Sequence, residues 1–221
     1  MRTRDTKHAA GERLIVLEGG DGAGKTTAIE QIRQFLQDRG EKVVCSREPG
    51  GTPLAEAIRQ LLLDVRTEPV AAHTELLLMF AARAQHVQEF IVPQLQAGGW
   101  VLLDRFTEAS YAYQGGGRGL GSAPVQWLEA FVVGSLRPGR VFWLDVPPEI
   151  GLARRQRHGT LDRMEEESLV FMQAVYTTYQ ERCRSFPDMY RRIDASCAQS
   201  AVIAQLLEQL QSYWGELHGN L

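Results

Sequence analysis

Short, uninterrupted apolar runs alternate along the chain with longer segments whose apolar positions recur every three or four residues. Leu14-Ile15-Val16-Leu17, Val101-Leu102-Leu103 and Val141-Phe142-Trp143-Leu144 are the clearest runs. Together with weaker ones they predict strands at 14–18, 42–46, 100–104, 141–146 and 190–194. Runs without polar alternation belong to strands covered on both faces, as in a parallel sheet. The segments between them predict helices at 24–39, 53–63, 73–97, 124–134, 148–157, 165–184 and 198–216, a βαβ rhythm. Pro93 lies inside the third of these and predicts a kink or an early end. The glycine-rich stretch from Gln114 to Gly121 reads as loop, and Arg154 to Arg163, with four arginines in ten residues, as a basic flap between two helices. The pattern predicts an α/β fold: a five-stranded parallel sheet with helices on both faces, one domain over 13–221, a short basic lid at about 154–163 and a flexible segment over 1–12.

Composition narrows the setting. At 221 residues the chain is long enough for one well-buried domain. The net charge of −3 carries no nucleic-acid footprint, so any anion site must be local. No apolar stretch approaches the roughly 20 residues of a membrane span, and Met1–Glu12 lacks the apolar centre of a signal peptide. Cys45, Cys183 and Cys197 are widely spaced, which fits a reducing, cytoplasmic compartment and neither a zinc site nor a disulfide framework. Cys45, inside Val43-Val44-Cys45, is expected in the core.

The chemistry begins where the first strand ends. Gly19-Gly20-Asp21-Gly22-Ala23-Gly24-Lys25-Thr26-Thr27 fits G-x-x-x-x-G-K-[ST], following a strand and opening a helix. Glycines let successive N–H groups point at one anion, and the helix start adds its positive dipole end. Lys25 can reach the outer phosphates of a nucleotide, and the Thr26 hydroxyl can ligate Mg²⁺. The fold class is therefore a P-loop NTPase. Three further segments narrow the reaction. Asp104-Arg105-Phe106 ends the third strand, at the sheet edge where ligands gather. An acid there can hold Mg²⁺ through water, and an arginine can clamp a phosphate bidentately. Arg47-Glu48-Pro49-Gly50-Gly51-Thr52 turns charged groups toward the same edge. The basic flap suits a phosphoryl-transfer transition state, whose charge is spread over the transferred group. Each segment taken singly also has a bland reading as a turn or a solvated charge run.

Taken together, these segments resemble the thymidylate kinase family. The resemblance runs from about Leu14 to Leu210 and includes Leu61-Leu62-Leu63-Asp64, Phe80-Ala81-Ala82-Arg83, Ala112-Tyr113-Gln114-Gly115-Gly116-Gly117-Arg118-Gly119 and Leu161-Asp162-Arg163. It implies transfer of the γ-phosphoryl group of Mg·ATP to dTMP, on the route to dTTP, by a homodimer. It also assigns roles. Asp21 resembles the carboxylate near the sugar 3′-hydroxyl and the metal, and Arg105 the clamp on the dTMP phosphate. Phe80 resembles the aromatic that stacks on thymine, and Arg83 the donor to a thymine carbonyl. Ser110 faces the base, Tyr113 lies beneath the sugar, and Gln114 and Glu48 line the same pocket.

Two departures from the family pattern stand out. Phe106 occupies a position where tyrosine or histidine is common. The P-loop carries no basic residue at 20–23, so the arginine on the transferred group must come from the flap, yet His158 stands before Gly159 where relatives have arginine. Arg155 and Arg157 are the candidates, with Arg163 a third. Two other readings stand beside this one: a kinase of the same scaffold acting on another nucleotide, and a nucleotide-dependent switch without transfer activity.

Overall fold

The computed structural model describes residues 11–65, 67–155, 163–164 and 167–219, the side chain of Arg155 excepted. Five strands form one parallel sheet: β1 (Leu14–Glu18), β2 (Val43–Arg47), β3 (Trp100–Asp104), β4 (Arg140–Asp145) and β5 (Tyr190–Asp194), in the order β2-β3-β1-β4-β5. The helices are α1 (Lys25–Gln37), α2 (Pro53–Leu63), α3 (Ala72–His86), α4 (Val92–Gln96), α5 (Thr107–Ser110), α6 (Ser122–Val132), α7 (Pro148–Arg155), α8 (Leu169–Ser185) and α9 (Gln199–His218).

Alternation of side chains along each strand explains the unbroken apolar runs. Leu14, Val16, Val101, Leu103, Val141 and Trp143 pack on one face against Phe171, Val175 and Tyr179 of α8. Ile15, Leu17, Leu102, Phe142 and Leu144 pack on the other against α1 and α9. β1 is fully buried along its length, and Leu14 pairs with Val101 of β3 while Ile15 pairs with Arg140 of β4. β2 is one of the two edge strands, only partly covered, and Cys45 is exposed there rather than in the core.

Pro93 does not end its helix. α3 passes through a π-helical stretch, Val87–Ile91, into α4, and the Val92 N–H reaches back to Val87 O. This wider turn directly precedes the proline, which cannot supply the N–H that a regular ladder needs there. The glycine-rich segment also differs from its loop reading. Tyr111–Gly117 is π-helical and continues α5, and the chain leaves helical structure only near Arg118. The reason is close packing on α8: a Cβ on Gly117 would lie 2.5 Å from Cε2 of Phe171, and one on Gly116 would collide with Thr178. α8 starts at Leu169, later than predicted, because Ser168 caps it by accepting from Phe171 N at 3.2 Å. The flexible segment expected over 1–12 lies outside the described residues up to position 10, and Glu12 is already anchored, its carbonyl accepting from Tyr213 OH at 2.5 Å.

Candidate active site

β1 delivers the P-loop and β3, beside it, delivers Asp104 and Arg105 to the same sheet edge. No side chain caps the first turn of α1 after Gly24, which leaves its N-terminus suited to an anion. Lys25 is buried, with Nζ donating to Gly20 O at 3.2 Å and Gly19 O at 3.4 Å and lying 3.9 Å from Asp104 Oδ1. Burial, and then the nearby Arg105 charge, hold its ammonium below the usual lysine range, against the pull of Asp104. An incoming phosphate would reverse that balance.

The donor set fits a hard divalent cation. Asp104 Oδ1 is buried and accepts no hydrogen bond among the described residues, and Thr26 is exposed in the first turn of α1. The described residues hold no cluster of three acidic, histidine or cysteine side chains fit to bind a metal alone. Mg²⁺ is typically held by one or two protein oxygens plus substrate phosphates.

Arg105 joins the P-loop to a second cleft. Its backbone sits at φ 68°, unusual for a residue with a side chain. From there Nη1 donates to Gly19 O at 2.8 Å and Nη2 to Asp21 Oδ1 at 2.7 Å, with the guanidinium 4.9 Å from the Tyr113 ring centroid. Beneath it, Glu18 accepts from Phe106 N at 2.8 Å and from Tyr179 OH at 2.7 Å. Burial pushes the Glu18 carboxyl up to about 7, outweighing Arg105 and both hydrogen bonds.

The cleft beyond Arg105 is lined by Asp21, Glu48, Arg83, Ser110, Tyr113 and Gln114, six residues the sequence reading placed there. Arg83 is almost fully buried. Its Nε donates to Glu48 Oε2 at 2.7 Å, Nη1 to Ser110 Oγ at 3.0 Å and Nη2 to Phe106 O at 2.9 Å. These use three of its five N–H donors, leaving two for a ligand. The Tyr113 hydroxyl, buried at the cleft wall, has no hydrogen-bond partner among the described residues.

Phe80 is a correction. It is 1% exposed, does not line the cleft, and packs with Leu76, Tyr111 and Val125. Arg83 covers its ring, with Cζ 4.5 Å from the centroid. The apolar residue that α3 presents to the cleft is Met79. The signal was in the sequence: Leu76, Phe80, Arg83 and Val87 form a helical stripe, which is the buried one, while Met79 lies beside it.

Arg155 ends α7, but its side chain, like all of Arg157, lies outside the described residues. Arg163 is engaged away from the P-loop, donating through Nε to Leu62 O at 2.7 Å and through Nη2 to Glu75 Oε2 at 2.8 Å. Glu75, which the sequence reading passed over, is a fully buried hub that also accepts from Gln114 Nε2 at 2.8 Å and Arg118 Nη2 at 2.9 Å. Arg59, also unanticipated, lines the cleft and donates to Pro49 O at 2.9 Å. A separate hollow of ≈ 500 Å³ opens beside Gly22, Gly24 and Thr27, bounded by Arg154 and the start of α9.

A P-loop, an acidic side chain at the neighbouring strand end and an arginine-walled cleft beside them define a P-loop nucleotide kinase. The thymidylate kinase family model matches residues 17–206. The chain is 53% identical over 193 residues to the thymidylate kinase of Ectopseudomonas mendocina, covering 87% of this chain and 92% of that one. It is 50% identical over 201 residues to that of Alkalilimnicola ehrlichii, with 90% and 93% covered, and 52% identical over 193 residues to that of Pseudomonas savastanoi, with 87% and 92% covered. The chain belongs to the thymidylate kinase family.

Proposed function

We propose that the protein, acting as one kinase domain over 13–221, transfers the γ-phosphoryl group of Mg·ATP to dTMP, giving dTDP and ADP. The observation that carries this reading is Arg105. It holds the P-loop through Gly19 O and Asp21 while its guanidinium forms part of the acceptor cleft, so donor and acceptor phosphates meet across one side chain.

The attacking oxygen of a nucleoside monophosphate is already anionic, so the chain has no proton to remove. Its work is positioning and charge neutralisation. The P-loop from Gly19 to Thr27 and Lys25 hold the donor phosphates, and the hollow beside Thr27 and Arg154 suits the donor nucleoside. Thr26 and, through water, Asp104 would hold Mg²⁺, which would supply charge neutralisation on the donor phosphates. Arg105 orients the acceptor phosphate, Asp21 stands beside it, and Tyr113 and Gln114 close the sugar side. Arg83 and Ser110 face the base. Charge on the transferred group comes from Arg155 and Arg157, since Arg163 is committed to Glu75 and Leu62.

We assign the protein to the cytoplasm, as a homodimer binding neither nucleic acid nor membrane. No described helix is long and apolar enough to cross a bilayer. α6 presents Trp127 and Phe131, 66% and 77% exposed and stacked 5.7 Å apart, an apolar pair suited to a second copy. Sedimentation at micromolar concentration tests the dimer, and a monomer there contradicts it.

The activity is tested by ADP release from Mg·ATP with dTMP, dUMP, dCMP, dGMP, AMP and thymidine as acceptors. Strong preference for dTMP is expected. Preference for another acceptor would overturn the pocket assignment, and silence with all of them would overturn the transfer reaction.

A further inference from the structure

His86, in the last turn of α3, is fully buried behind the cleft rather than on its wall. Its ring stacks on Phe90, centroids 5.4 Å apart, and makes two polar contacts: Nδ1 lies 3.0 Å from Glu48 Oε1 and Nε2 lies 2.8 Å from Ser46 Oγ. A carboxylate only accepts, so Nδ1 carries the proton toward Glu48 in either state of the ring. The other oxygen of Glu48 accepts from Arg83 Nε. Glu48 is thus gripped from both sides, by a buried imidazole on one oxygen and the cleft arginine on the other. The grip is roofed by the turn after Glu48-Pro49. Gly51 sits at φ 87°, and a Cβ there would collide with both His86 Nε2 and Ser46 Oγ. Neither oxygen of Glu48 is then left to pivot, and the Arg83 fork is aimed by a chain running Ser46, His86, Glu48, Arg83.

We propose that His86 is a positioning residue. By fixing the plane of the Glu48 carboxylate it sets the direction of Arg83, and with it the affinity and base discrimination of the acceptor nucleotide. This rests on the reading that the cleft takes dTMP.

The test compares His86→Asn with His86→Gln. The asparagine amide nitrogen falls near the Nδ1 position and can still donate to Glu48, whereas the glutamine amide nitrogen falls near Nε2 and cannot. The measurements are KM for dTMP and for ATP, kcat, the ratio of kcat/KM for dTMP over dCMP, and dTMP binding by calorimetry. His86→Gln should raise the dTMP constants on the order of tenfold and erode the preference over dCMP, with kcat and the ATP constant little changed. His86→Asn should restore most of the loss. Equal behaviour of the two variants, a loss shared by dTMP and ATP alike, or a larger loss for asparagine overturns the assignment, because packing alone would make the smaller asparagine the worse replacement in this buried site. A wild-type protein that turns over no dTMP overturns instead the reading of the cleft on which it rests.

Discussion

Met79 and Phe80 are adjacent in sequence and about 100° apart around α3, and that rotation decides which of them meets a ligand. Phe80→Leu should cost about 1 kcal/mol of stability by urea unfolding while leaving KM for dTMP near wild type. Met79→Ala should do the reverse, raising KM for dTMP with little loss of stability. Lys25 has no such substitute. Lys25→Ala should lower kcat on the order of 10³-fold with an unchanged circular dichroism spectrum, the scale of losing a preorganised charge at a transferring group; near-normal turnover would contradict the donor site. Glu18 gives a pH signature. Because burial raises its folded pKa to about 7 from 4.5, the folded state holds a proton that the unfolded chain releases. Its contribution to stability is therefore present below pH 4.5 and is lost as pH climbs to about 7. The stability of Glu18→Gln relative to wild type should rise between about pH 5 and pH 8, and parallel unfolding curves would contradict this. Glu48, Arg83, Arg105, Ser110, Tyr113 and Gln114 were legible in the cleft through the family resemblance and the segments that carry it. Glu75 and His86 were not, since a buried carboxylate or imidazole within an apolar helical run carries no local mark of the partners brought from elsewhere in the chain.

At the scale of elements, the strands were read almost residue for residue, and in β1, β3 and β4 burial on both faces is what removes polar interruptions. The helical departures share a cause that one-dimensional patterns do not carry. Pro93 is tolerated behind a π-helical stretch, and the glycines at 116 and 117 serve contact with α8 rather than a loop. A glycine run selected for close approach looks in sequence like one selected for a turn. Gly117→Ala tests the distinction. Its Cβ would press on Phe171, so the variant should lose about 1–3 kcal/mol of stability by urea unfolding. An unchanged midpoint would return the segment to the role of a permissive loop. Cys45 makes the same point for strands, since only the strand order shows that β2 is an edge.

At the scale of the molecule, β1 is central, with β3 on one side and β4 on the other, and the P-loop leaves its carboxyl end. Open α/β sheets bind ligands at that edge. Here the edge holds two adjoining sites: the P-loop with its uncapped helix start, and the cleft behind Arg105. Buried carboxylates hold several of the arginines in place before any ligand arrives, Glu48 gripping Arg83 and Glu75 gripping Arg118 and Arg163. The central claim is that these two sites exchange a phosphoryl group directly. It is tested by mixing the protein with Mg·ATP labelled in the γ-phosphate and with dTMP, then separating the nucleotides after a single turnover. The label is predicted in the terminal phosphate of dTDP, in amounts equal to the ADP formed. Label recovered as inorganic phosphate, or left in ATP while both nucleotides are bound, would contradict it.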